Sequence, residues 1–424
     1  MKHSIKNRNN TDFIILEGIA FTVILNLYNP FLLMFAKRMG AQNIHIALLS
    51  SMPPLVAILV LIPFGILIER ANRKKKTVLL MISLISIFYL SIAFVPLIPD
   101  RAKMITYVVL IGLMNGPGSL YLATWQSFFA DTFSSKEINR VYSLRSKYGA
   151  FFGLLTVLLT GLALTEIPKT DGERLVIYQA FYFACFIFSL LQIYFLSRVK
   201  EQTDMPSAKG NSSSLTSFGK RDIKEMFRNK NFIVFCICVF VFHITWQMGW
   251  PLFFIYNVDY AKLNELQIAI VTVAMGLAQF LTFSFWGKLI EKKGSRIIII
   301  FGAFGLSVTP LFCVKLVGFF PLVMINIFSG IAIACFTLSL FTSLIETLPG
   351  TKKTLYTSVF NTFINISGFI SPLIGVWIYS LINIYSSMFL IGVLRFIAAG
   401  LFVYRWWSWN RKQGCSIVNG ELEV

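Results

Sequence analysis

Charge is what this chain has least of. Only 13% of its 424 residues are Asp, Glu, Lys or Arg, and only 19 are acids. A soluble protein of this length needs far more polar surface, so a soluble globular fold is excluded. Histidine is scarcer still, with His3, His45 and His243 widely separated. That spacing removes the clustered His and acid groups that a metalloenzyme or a lipid-modifying enzyme would need. No Gly-x-x-x-x-Gly-Lys-Ser/Thr loop is present, which argues against ATP-driven pumping by this chain. The six cysteines are Cys185, Cys236, Cys238, Cys313, Cys335 and Cys415, and five lie inside apolar runs. Cys236-x-Cys238 lacks a second ligand pair, so the cysteines read as small buried hydrophobes and no metal site is expected. The sequence therefore reads as a non-enzyme that uses no cofactor.

What it has in abundance is apolar length. Hydrophobic residues make up 56% of the chain, and mean hydropathy is +0.71. A membrane helix needs about 20 mostly apolar residues. Such runs occupy 13–36, 44–68, 77–98, 104–130, 141–166, 175–197, 231–257, 264–290, 296–316, 319–346, 354–382 and 385–406. They are long and continuous, which predicts twelve transmembrane helices and not a barrel. The basic start, "MKHSIKNRNNTDF", leads into a run too long for a signal-peptide core, so span 1 is read as uncleaved.

The net charge of +19 is spread over short loops and not gathered on one soluble domain, so nucleic acid is not the expected partner. With the N-terminus inside, 29 of the 38 Lys and Arg fall in cytoplasmic segments and 8 outside, while Arg395 falls within span 12. This bias predicts a multi-pass protein of the cytoplasmic membrane with both termini cytoplasmic. Residues 199–230 contain the Ser/Gly-rich "PSAKGNSSSLTSFGK" and the basic amphipathic "RDIKEMFRNK". They divide the chain into a six-helix bundle (1–198), a cytoplasmic linker (199–230), a second six-helix bundle (231–406) and a tail (407–424).

The halves resemble each other. "GILIERANRK" (65–74) closes span 2, and "GKLIEKKGSR" (287–296) closes span 8. Asn72 and Gly294 align because both residue types tolerate a left-handed turn. "FTVILNLYNP" (21–30) in span 1 aligns with "FHITWQMGWP" (242–251) in span 7, setting Thr22 against His243, Asn26 against Gln247, Asn29 against Trp250 and Pro30 against Pro251. Asp131 in "ADTF", ending span 4, aligns with Glu346 in "IETL", ending span 10. Three matches at nearly one offset indicate duplication.

This architecture resembles the major facilitator superfamily over essentially the whole chain. The most specific element is the loop after span 2, where Gly65, Leu67, Glu69, Arg70, Arg73 and Lys74 follow the family pattern Gly-x-Leu-x-Asp-Arg-x-Gly-Arg-Arg/Lys. Glu69 replaces Asp and Asn72 replaces Gly. The resemblance implies an all-α fold of two pseudo-symmetric six-helix bundles that alternate access to a central site. It also implies a cytoplasmic gate of Glu69, Arg70, Arg73, Lys74 and Asp131, with Gly287, Glu291, Lys292, Arg296 and Glu346 as the second-half counterpart.

In that family spans 1, 4, 7 and 10 line the cavity. The polar residues available are Thr22, Asn26 and Asn29 in span 1; Asn115, Ser119 and Gln126 in span 4; and the stripe His243, Trp246, Gln247 and Trp250 in span 7. Asn326 of span 10, with Asn361 and Asn365 of span 11, completes the set. Each can equally serve as hydrogen-bonding glue between helices, worth about 0.6–2 kcal/mol. No Arg or Lys falls mid-span in spans 1, 4, 7 or 10, so a neutral polar or amphipathic solute is expected over an organic phosphate. Trp246 and Trp250 also suit a cationic compound through cation–π contact, which keeps a drug or metabolite efflux antiporter as the alternative. Span 4 has no Arg, and span 5 has Gly149 and Gly153 without the Pro of that subgroup; a partial echo, Gly368, Pro372 and Gly375, lies in span 11. A receptor of this fold that binds without transporting is the alternative of another class. Glu17 and His243 are the titratable candidates for proton coupling. Arg395 is expected to make a structural contact, with no partner evident. The expected partners are thus a small solute, protons and the bilayer, for a protein acting as a monomer.

Overall fold

Lipid offers backbone N–H and C=O groups no partners, so an apolar run must satisfy them within itself as a helix. The structure, a computed structural model, describes residues 2–70, 74–133, 135–200, 226, 228–348 and 353–418; the side chains of 2–9, 61–70, 135, 136, 139, 353–355 and 412–418 are outside that description. Among the described residues, twelve helices are long and apolar enough to cross a membrane. They are α1 (Asn10–Arg38), α2 (Asn43–Val60), α3 (Lys74–Leu97), α4 (Asp100–Thr132), α5 (Arg140–Glu166), α6 (Asp171–Arg198), α7 (Lys230–Tyr260), α8 (Glu265–Lys293), α9 (Ser295–Lys315), α10 (Phe319–Thr347), α11 (Tyr356–Leu381) and α12 (Ile384–Arg411). Each corresponds to one expected span.

The chain divides into two compact units, Met1–Ser217 with Asn264–Ala269, and Phe218–Leu263 with Ile270–Val424. Within the first, α1 packs on α5 and α6, α3 on α4 and α6, and α2 on α4. Within the second, α7 packs on α11 and α12, and α9 on α10 and α12. Four of the first unit's five pairs recur six spans along the chain, as duplication requires. Small residues set the closest approaches, because lipid supplies no hydrophobic drive between helices and packing must do so. A Cβ on Gly302 of α9 would come within 2.6 Å of the Phe336 backbone of α10.

Both units interrupt the same matched segment. Proline removes one backbone donor and collides with the carbonyl four residues back. In α1 the α-helix ends at Tyr28, a 3₁₀ turn spans Asn29–Phe31 around Pro30, and helix resumes at Leu32. In α7 the helix ends at Gln247, a short helix runs Gly249–Ile255 with Pro251 inside it, and a π turn follows over Tyr256–Tyr260. The aligned prolines thus mark a break in each half. Gly294, ahead of α9, takes a φ of +83°, in keeping with the turn expected there.

Candidate functional site

In the first unit, the polar face of α1 lies along α5. Thr22 Oγ1 donates to the Gly18 carbonyl at 2.7 Å, and Asn26 Nδ2 to the Thr22 carbonyl at 2.8 Å. A Cβ on Gly149 would sit 2.8 Å from Thr22 Oγ1, and one on Gly153 2.8 Å from Asn26 Nδ2. The two α5 glycines therefore let α5 close over this face. Asn115 and Ser119 of α4 are half-buried, while Asn29 and Gln126 are exposed.

Below that face sits a buried charge pair. Glu17 is fully buried. Its carboxylate accepts from Tyr121 Oη (2.8 Å), Gln192 Nε2 (2.9 Å) and Arg145 Nε (3.1 Å). The Arg145 guanidinium also stacks 4.1 Å from the Trp125 ring. Gly18 makes the crossing feasible, since a Cβ there would collide with the Arg145 stem. Counting Arg145 as a cytoplasmic loop charge is thereby corrected: it lies within α5 and its charge is turned inward. The change leaves the sign of the charge bias intact.

Of the gate residues, Gly65, Glu69, Arg70 and Arg73 fall outside the described side chains. Lys74 pairs with Asp131 at 2.5 Å, on an exposed surface. In the second unit Glu346, the counterpart of Asp131, accepts from Ser295 Oγ at 2.8 Å, and Ser343 donates to Ser295 at 2.8 Å. Arg296, the counterpart of Lys74, lies over the Trp409 ring. Glu291 and Lys292 are exposed, and Gly287 is in ordinary contact with Leu338.

The α7 stripe divides in two. His243 and Gln247 turn into the unit. His243 Nδ1 is 3.0 Å from the Val239 carbonyl, and Gln247 Oε1 accepts from Ser367 Oγ at 2.8 Å. Trp246 and Trp250 instead face a cavity of about 290 Å³, shared with Phe253, Thr309, Asn326 and Arg395. Their rings meet edge to face at 6.0 Å. Asn326 Nδ2 donates to its own helix at the Leu322 carbonyl, and Asn365 likewise to Asn361, which is exposed.

Arg395 has the partners the sequence did not reveal. It is buried, and it donates from Nε to the Thr245 carbonyl (3.2 Å), from Nη1 to Leu306 (3.0 Å) and from Nη2 to Trp246 (2.7 Å). Two of these carbonyls lie at the C-terminal end of the first α7 helix, where carbonyls lose intrahelical donors and the helix dipole favours a cation. A Cβ on Gly249 would strike this guanidinium, and one on Gly375 would strike the Met248 carbonyl. The α7 break, Arg395 and the α11 glycine thus form one arrangement. It also changes the premise for a neutral solute, since α12 brings a cation to a cavity whose own spans carry none.

The family model described as Major Facilitator Superfamily matches residues 15–256 and 235–414. The chain belongs to the Major Facilitator Superfamily. Among solved structures, this superfamily chain is similar to a point mutant of the nucleoside transporter NupG, with a TM-score of 0.75 and 14% identity over 93% of this chain and 99% of that one. It is similar to NupG itself with a TM-score of 0.70 and 14% identity, over 95% and 99% of the two chains. At that identity the likeness concerns the fold. Comparison with curated protein sequences gives no match.

Sequence reasoning missed two further groups. Arg145 and Gln192 complete the Glu17 cluster. In the first unit, Arg38 donates to both carboxylate oxygens of the fully buried Glu265 at 2.9 and 3.2 Å, and Asp171 bridges Arg38 and Arg174 at 3.2 and 2.6 Å. The signal available was an acid at the head of an apolar run with basic residues at the ends of two others, which hydropathy does not weigh.

Proposed function

We propose that this superfamily member is a secondary transporter that moves a small polar or amphipathic solute across the cytoplasmic membrane by alternating access, with both termini cytoplasmic. The observation that carries the substrate class is the cavity in the second unit, where two indoles, the Asn326 amide and Arg395 surround about 290 Å³. Indole faces suit a flat or apolar body, and the polar groups fix its orientation. Arg395 is the only Lys or Arg lining this cavity among the described residues, and three of its five N–H groups already serve carbonyls. Phosphorylated and multiply anionic solutes are therefore disfavoured. A nucleoside has the required shape, a ring for the indoles and hydroxyls for the amide, and the fold likeness to a nucleoside transporter makes nucleosides the first probes.

The Glu17 carboxylate is engaged by Arg145 and two neutral donors, an arrangement suited to a structural contact between helices. His243 is then the remaining candidate for proton coupling in the pathway. Uptake by His243→Gln proteoliposomes that keeps its full dependence on the pH gradient removes that role.

The test of substrate class is a thermal-stability screen of purified protein against nucleosides, amphipathic drugs and phosphorylated analogues. A ligand at a hundred times its Kd stabilises the state it binds by about 2.7 kcal/mol. Stabilisation by uncharged or singly charged ring compounds is the expected result. Preferential stabilisation by phosphorylated solutes overturns the assignment.

A further inference from the structure

A second cleft in the second unit, away from the solute cavity, opens at the end where α7 and α9 begin and α12 finishes. It encloses about 130 Å³ and is lined by Lys230, Asn231, Arg296, Tyr404, Arg405 and Trp409, among others. Three of these residues are cations. Arg405 is only 8% exposed, yet no carboxylate lies within ion-pair distance of it or of Arg296 among the described residues. Both guanidiniums rest on aromatic rings, Arg296 over Trp409 at 3.4 Å and Arg405 over Phe235 at 4.5 Å. Glu346 is within electrostatic reach of both, but it already accepts from Ser295, and among the described residues one acid stands against three cations.

A buried and a half-buried guanidinium with no carboxylate at ion-pair distance among the described residues call for an anion, and stacking fixes their planes so that their edges stay free to donate. Two features choose the source of that anion. Tyr404 and Trp407, beside the cleft on α12, are 62% and 51% exposed. Exposed Tyr and Trp near the end of a membrane helix sit at headgroup level. The cleft is also small, the size of a headgroup phosphate with little beyond it. We propose that it holds the phosphate of an anionic phospholipid, with the acyl chains lying along the apolar outer face of the unit. The anionic lipids of the cytoplasmic leaflet supply the ligand. The choice of leaflet rests on the orientation proposed above, whereas binding in micelles is independent of it.

The test uses the purified full chain in mixed micelles, titrated with phosphatidylglycerol, with phosphatidylcholine at equal mole fraction, and with inorganic phosphate. Phosphatidylglycerol is expected to raise the melting temperature saturably, with phosphatidylcholine and phosphate giving little shift. Losing one charge-assisted donor pair weakens binding by about tenfold or more. Arg296→Gln, at a half-buried position, is therefore expected to raise the half-saturating phosphatidylglycerol concentration by about that factor, and Arg405→Gln to do the same where it folds. Equal shifts with both lipids overturn the site without recourse to a variant. An unchanged titration in Arg296→Gln also overturns it. Inorganic phosphate reproducing the full shift overturns the lipid assignment in favour of a free anion.

Discussion

Replacing Glu17 with Gln removes the only carboxylate paired with Arg145 among the described residues. Breaking a buried pair by removing one partner typically costs about 3–5 kcal/mol, because the surviving charge is left uncompensated. Two features reduce that figure here. Arg145 keeps its contact with the Trp125 ring at 4.1 Å, worth about 1–2 kcal/mol in a desolvated site. Its side chain also retains 12% exposure. The expected loss is therefore near the low end, about 3 kcal/mol. Arg145→Gln strands the carboxylate instead, but Tyr121 and Gln192 still donate to it at 2.8 and 2.9 Å, so a similar loss of about 3 kcal/mol is expected. The double variant buries two neutral amides and loses far less than the sum. A double-mutant cycle, read by denaturant unfolding in micelles, should give a coupling energy of at least about 2 kcal/mol. Additive single variants, with coupling under about 0.5 kcal/mol, would refute the pair as a buried electrostatic unit.

Other perturbations probe the second unit and the gate. Arg395→Leu strips donors from three carbonyls, each costing about 1–3 kcal/mol when buried unsatisfied; severe thermal destabilisation is expected, and a melting temperature within a degree of the parent would contradict the capping role. Gly375→Val drives a side chain into the Met248 carbonyl; transport is expected to fall several-fold, with unimpaired transport the contrary result. Lys74→Gln breaks an exposed pair, so its stability effect should stay under about 1 kcal/mol, while a gate role predicts a changed transport rate in the same preparation.

How much of this was legible depends on which interactions hydropathy can see. The twelve spans follow from apolar length, and the duplication follows from "FTVILNLYNP" against "FHITWQMGWP". Pro30 and Pro251 each sit at an interruption of their helix, which is readable because proline acts through local covalent geometry. The α7 stripe was legible only in part. Spacing of i, i+3, i+4 and i+7 places residues on one face of a straight helix. The helix stops at Gln247, so the break re-aims only Trp250; His243 still meets the Trp246 ring edge to face at 5.4 Å, and of the stripe only the two indoles line the cavity. Arg395 was unreadable for another reason: its partners are backbone carbonyls, which every residue carries and no sequence pattern marks. Arg145 was hidden by its position near a loop, with Glu17 lying 128 residues earlier. Gly18, beside Glu17, was the one local hint that a large side chain had to cross there.

The central claim is that solute passes through this molecule by way of the α7 cavity, and counterflow in proteoliposomes tests it most directly. Vesicles loaded with unlabelled nucleoside, or with the best ligand from the stability screen, are diluted into the labelled compound. Transient accumulation of label is expected with the parent protein, and its loss in Trp246→Ala with the fold retained. Saturable binding with no exchange of label would make the protein a receptor, and unchanged counterflow in Trp246→Ala would place the pathway elsewhere.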